Sequence, residues 1–165
     1  MSTGEGRRQR ARNMEARLVI GIGNTMRRDD GAGHAVVRAI RASAPDVPVL
    51  LAGGDGAALL EAWRGAQLVI VVDAIRSGAA PGTVHRFDAA VSPLPRTLSS
   101  TSTHVFGLPD AVELSRTLGT LPQRLIVYGI EGAEFAAGEG LSAQVQDAVP
   151  RAAAGVLAEL ERHDP

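Results

Sequence analysis

Short apolar runs alternate along this chain with segments whose apolar residues recur every three or four positions. Residues 17–22 (RLVIGI), 47–52 (VPVLLA), 67–72 (QLVIVV), 83–88 (TVHRFD) and 124–130 (RLIVYGI) read as five strands. Between them, residues 34–43 (HAVVRAIRAS), 57–63, 104–118 and 142–162 carry helical spacing, the last with Pro150 removing an i→i−4 donor and predicting a bend. Glycine-containing loops follow the first, second and fifth runs. Residues 89–102, rich in Pro, Ser and Thr, predict a long mobile loop of the kind that often carries function. Strand–helix alternation predicts an α/β fold: an open, mostly parallel five-stranded twisted sheet with helices packed on both faces, in three layers. Residues 17–165 form one predicted domain, and residues 1–16 a flexible basic tail in which Met14 is a second candidate start.

Composition narrows the classes. Aromatic residues make up only 3% of the 165, so the core rests on Val, Ile, Leu and Ala, which suits buried parallel strands. Few aromatics also argue against single-stranded nucleic-acid binding, which needs stacking faces. With 17 basic and 18 acidic side chains the net charge is −1, so no overall field attracts nucleic acid or an anionic membrane. The absence of cysteine excludes disulfides, thiolate metal sites and a cysteine nucleophile. No apolar run spans a bilayer, and the basic N-terminus lacks the apolar stretch that export needs, so a cytoplasmic setting is expected. Without a coiled-coil pattern, a monomer is the default.

Ligands of open α/β sheets sit beyond the carboxyl ends of the strands. Asp29 and Asp30 follow the first strand, Asp73 ends the third, and His104 closes the Ser/Thr loop. Each alone has a plain structural reading: either Asp as a helix cap, Asp73 as loop chemistry, His104 preceded by Ser102 or Thr103 as an N-cap. Their shared rim makes Asp29 or Asp30, with Asp73 and His104, the candidate site. Two carboxylates and an imidazole can hold zinc, nickel or manganese with positions open for water or substrate. Two close aspartates can equally work without metal, because like charge raises one pKa and separates acid from base. The residues leave both options open. The partial dinucleotide motif GIGN, residues 21–24, is rejected: Met26 occupies the third glycine position, and Ala52 with two glycines replaces the expected acid. No organic cofactor is expected.

Taken together, VIGIGNTMRRDDGAGHAVV, LLAGGDGAALL, LVIVVDAIRSGAAPGTV, STHVFGLPDAVELSRTL and RLIVYGIEGAEFAAGEGLSAQVQDAV cover nearly the whole chain from Arg17 onward. In that order they resemble the hydrogenase maturation proteases, which trim the C-terminus of the large subunit of nickel–iron hydrogenases. The resemblance implies an endopeptidase in which Asp30, Asp73 and His104 contact nickel already placed in the precursor, so that cutting follows metal insertion. It implies framework roles for Asn24, Gly53 and Gly54, and a large-subunit precursor as partner. Ala52 departs from members that carry an acid before the two glycines. The alternative expectation is a non-catalytic chaperone that binds the nickel-loaded precursor.

Overall fold

The computed structural model describes residues 16–99 and 105–162, together with positions 6 and 8. The tail at 1–16 therefore falls almost wholly outside the described residues, and His104, Ser102 and Thr103 do so entirely.

Five strands, β1 (Arg17–Ile22), β2 (Val49–Ala52), β3 (Leu68–Ile75), β4 (Val84–Asp88) and β5 (Arg124–Glu131), form one sheet in the order β2-β1-β3-β5-β4. The first four in that order run parallel, and β4 pairs antiparallel with β5 at the edge. Helices α1 (Ala32–Ser43), α2 (Gly56–Ala62), α3 (Leu108–Thr117) and α4 (Ala143–Arg162) cover it. Alternation along β3 separates two cores, because successive side chains point to opposite faces. Leu68, Ile70, Val72 and Ala74 pack with α1 and α4, while Val69, Val71 and Ile75 pack with Leu59 and Trp63 near α2 and Ala111 and Val112 of α3. This is the expected three-layer α/β/α architecture, and α4 is continuous across Pro150.

Two boundaries and one loop differ most from the sequence reading. β3 does not stop at Asp73 but runs to Ile75, because β5 continues alongside it and pairs Asp73 with Gly129 and Ile75 with Glu131. α3 begins at Leu108, not at 104; Val105 to Gly107 are non-helical and exposed or half-buried except for Gly107. Pro109 sits in the first helical turn, where its missing N–H costs nothing, and the Asp110 carboxylate accepts from the Gly107 N–H at 3.3 Å. The expected mobile loop at 89–102 is instead packed down over its described part. Ala89, Leu94 and Leu98 are buried against the α2/α3 side of the sheet, and Arg116 donates to the Ala89 and Ala90 carbonyls at 2.6 and 3.2 Å. Leu94 and Leu98, spaced four apart inside a Pro/Ser-rich stretch, anchor it on the sheet, while Val91 to Pro93, Pro95 and Arg96 stay exposed.

Candidate active site

The first site element is the turn after β1. Asn24 makes a side-chain turn, its Oδ1 accepting from the Met26 N–H at 2.9 Å. Asp30 N–H then donates to Arg27 O at 3.1 Å, and Asp30 O accepts from Asn24 N–H at 3.3 Å. A side chain at Gly23 would place Cβ 1.9 Å from Asp30 O. Only glycine there lets the turn fold Asp30 back over the end of β1. α1 then lies close on the sheet through Gly33, whose added Cβ would meet Val72 O at 2.3 Å and Ile22 O at 2.4 Å.

The two acids of the Asp29–Asp30 pair divide their labour. Neither caps α1, whose N-cap is Gly31 without a side-chain bond. Asp29 is fully buried, and its carboxylate accepts from the N–H groups of Ala133 (2.8 Å), Glu134 (2.9 Å) and Ser142 (2.7 Å), and from Ser142 Oγ (2.9 Å). Burial pushes its pKa up, but these four donors outweigh burial and leave it below the ordinary carboxylate value. Asp29 therefore ties the 132–142 loop to the turn after β1.

Asp30 and Asp73 are different. Both are nearly buried, at 7% and 6% exposure. Burial raises the Asp30 pKa, offset in part by Arg27, the Asn24 N–H and His34. Asp73 is pushed well above the ordinary range, first by burial and then by the negative charge of Asp30, with only the Ala74 N–H opposing. The structure thus brings these two predicted residues within electrostatic reach of each other. Asp73 shares the α2/α3 side of β3 with Val69, Val71 and Ile75, and it pairs across the ladder with Gly129, against which the Ile75 side chain packs. A carboxyl pair of this kind either shares a proton or gives it up to a divalent cation. Among the described residues no third His, Cys, Asp or Glu completes a metal cluster. His104, the predicted third member, is outside the described residues. The chain after it is anchored on the same rim: Phe106 O accepts from the Gly56 N–H at 3.0 Å, next to the Gly53–Gly54 turn beyond β2.

A buried carboxylate the sequence reading passed over is Glu131, 1% exposed at the carboxyl end of β5. It accepts from Ser77 N–H (2.7 Å), Ser77 Oγ (2.8 Å) and Gly78 N–H (3.0 Å), and so fixes the turn just beyond Asp73. An acid closing an otherwise apolar run, GIEG, was the signal for it.

The family model described as hydrogenase maturation protease matches residues 35–159. The chain belongs to the hydrogenase maturation protease family. The hydrogenase expression/formation protein HupD of Thiocapsa roseopersicina is 31% identical over 121 residues, 72% of this chain and 55% of that protein. The coenzyme F420 hydrogenase subunit delta of Methanothermobacter thermautotrophicus is 30% identical over 158 residues, covering 87% of this chain and 93% of its own. Among solved structures, the hydrogenase maturating endopeptidase HybD from E. coli superposes with a TM-score of 0.75 at 28% identity, covering 88% of this chain and 92% of that one. The chain spans little more than half the length of the first curated relatives it matches. Family membership agrees with the resemblance carried by the GIGN, VDAI and STH stretches. Among the described residues no helix is long and apolar enough to cross a membrane.

Proposed function

We propose that this protein is an endopeptidase that removes the C-terminal extension of a nickel–iron hydrogenase large-subunit precursor after nickel insertion. Asp30, Asp73 and His104 recognise the nickel carried by that substrate and support hydrolysis. The observation that carries the reading is the Asp30/Asp73 pair: two buried carboxyls, each holding its proton more tightly than usual. Such a pair binds a cation by exchanging protons for it, so an empty precursor and a nickel-loaded one meet different sites. Nickel enters as part of the substrate, and no resident cofactor is invoked. The family membership supports the peptidase class, and the resemblance of the STH stretch supports the inclusion of His104.

The test is the intact mass of a purified nickel-loaded precursor after incubation with the protein, beside a nickel-free control. Loss of a C-terminal peptide only from the loaded sample is the expected result, and Asp73→Asn abolishes it. An Asp73→Asn variant that cuts at the normal rate removes Asp73 from the mechanism. An unchanged mass with stable co-purification favours the binding-only role.

A further inference from the structure

We propose that His34 is a positioning residue for Asp30: its Nε2–H, donated to the Ala52 carbonyl, fixes how α1 is turned against the sheet and so where the Asp30 carboxyl stands. This role rests on the endopeptidase reading and deepens it by one residue.

The bond has a fixed sense. His34 Nε2 lies 2.9 Å from Ala52 O. A carbonyl oxygen can only accept, so Nε2 carries the hydrogen and Nδ1 is the bare nitrogen of the neutral ring. The bond needs no charge. Nor is His34 a third ligand: among the described residues it forms no metal-holding group with Asp30 and Asp73. Its effect on the site therefore passes through Ala52.

Ala52 is a junction. It ends β2, and its oxygen also accepts the Gly23 N–H at 3.0 Å. Gly23 lies against Asp30, whose carbonyl oxygen would stand 1.9 Å from a Cβ placed there. His34 is in the first turn of α1, four residues after Asp30, and near enough for its charge to lower the Asp30 pKa. Asp30, His34, Ala52 and Gly23 thus close a ring of contacts. It runs from Asp30 into α1, across to the end of β2, back to the end of β1, and up to Asp30 again.

A second point of attachment is what this ring adds. Gly33 brings α1 down on the Val72 and Ile22 carbonyls of β3 and β1. Such contact sets the distance between helix and sheet, but not the rotation of the helix about its own axis. His34, the next residue, reaches past β1 to the edge strand β2 and makes a directional bond there. Asp30 directly precedes this turn, so a small roll of α1 carries it along. Asp73 does not follow, because it is held in β3 by its pairing with Gly129. The His34 bond therefore sets the relation between the two carboxyls.

The experiment compares His34→Gln with His34→Leu. A glutamine amide can donate to the same carbonyl without a ring or a charge, and leucine cannot. Ser43→Ala is the control, since it removes a side-chain bond to Ala39 O (3.1 Å) at the far end of α1. Three quantities are read: the ring tautomer of His34 by nitrogen NMR, amide hydrogen exchange at Gly23 and Asn24, and kcat and KM on the nickel-loaded precursor. Wild-type His34 is expected to carry its hydrogen on Nε2 at neutral pH. His34→Leu should speed exchange at Gly23 and Asn24 by about tenfold, the size of one lost hydrogen bond. It should lower kcat by about tenfold, as a slightly misplaced reacting group does, with KM within about twofold. His34→Gln should recover most of both losses and keep the wild-type pH profile. Ser43→Ala should change neither. A hydrogen on Nδ1, a wild-type kcat in His34→Leu, or a His34→Gln as slow as His34→Leu each overturns the role. Should His34→Leu fail to fold, the wild-type tautomer and the kcat of His34→Gln still decide. If the wild type never shortens the precursor, the endopeptidase reading falls, and exchange at Gly23 and Asn24 decides the positioning role alone.

Discussion

At the residue scale, adjacent aspartates behave oppositely because their donors differ. Asp29 has four hydrogen-bond donors and a depressed pKa. Its stabilising contribution is present above the ordinary value of 3.8 and is lost as the pH falls through the lower folded value. Asp29→Ala leaves three backbone N–H groups and a hydroxyl without their acceptor, and chemical denaturation should register a loss of about 3 kcal/mol. Asp73 has the opposite sign. Its folded pKa is raised, so its contribution is complete at acid pH and falls away as the pH rises from 3.8 through the folded value. Asp73→Asn escapes that penalty. It is expected to melt at a higher temperature than wild type at pH 7 while losing processing, and a lower melting temperature would contradict the burial argument. The pairing DD at 29–30 was legible in the sequence; which acid is anchor and which is site was not, because the donors come from 132–142, about a hundred residues away.

At the element scale, glycines decide how closely α1 meets the sheet. Gly33 lies against the Val72 and Ile22 carbonyls, and Gly21 against Gly33 O, where an added Cβ would come within 2.4 Å. These atoms are backbone and cannot rotate away. Gly33→Val should cost about 3 kcal/mol or more of stability in urea unfolding, and it should impair processing as well by displacing Asp30. The GIGN motif was visible from the start and was set aside as a nucleotide signal. Its first glycine, Gly21, serves a close helix-to-strand approach as in that motif, while its second, Gly23, makes room for the Asp30 carbonyl in the turn. The strand signals at 17–22 and 67–72 were clear because both runs are buried on two faces. The end of β3 was misplaced because an acid reads as a boundary, whereas pairing with β5 carries the strand two residues past it.

At the scale of the whole molecule, buried carboxylates stitch distant segments together. Glu159 on α4 is 1% exposed and takes a two-pronged bond from Arg86 of β4 at 2.8 and 2.9 Å, with Arg162 at 2.8 Å and the Tyr128 hydroxyl at 3.3 Å. The bond from Arg86 holds the Glu159 pKa below its usual value against burial. Glu159→Gln should destabilise the fold by about 2 kcal/mol, less than for a fully enclosed pair because both arginines reach solvent. The difference from wild type should shrink on acidification below the ordinary glutamate range, where wild-type Glu159 also loses its charge. A constant difference down to strongly acid pH would mean that packing, not charge, holds α4 to β4. The carboxylates Asp29 and Glu131 play the same part on the rim, each pinning one loop beside the Asp30/Asp73 pair.

The alternation of apolar runs and helical spacing by itself determined the fold class, because a chain poor in aromatics and rich in Val, Ile, Leu and Ala buries itself most readily as parallel strands under helices. The order of motifs along the chain likewise determined its family. Only the tertiary structure decided strand order, the end of β3 and the start of α3, the burial of Ala89, Leu94 and Leu98, and the roles of Asp29, Asp30 and Glu131. Those depend on which backbone donors arrive from remote segments and on how much water each carboxyl loses, and neither quantity is written in local sequence.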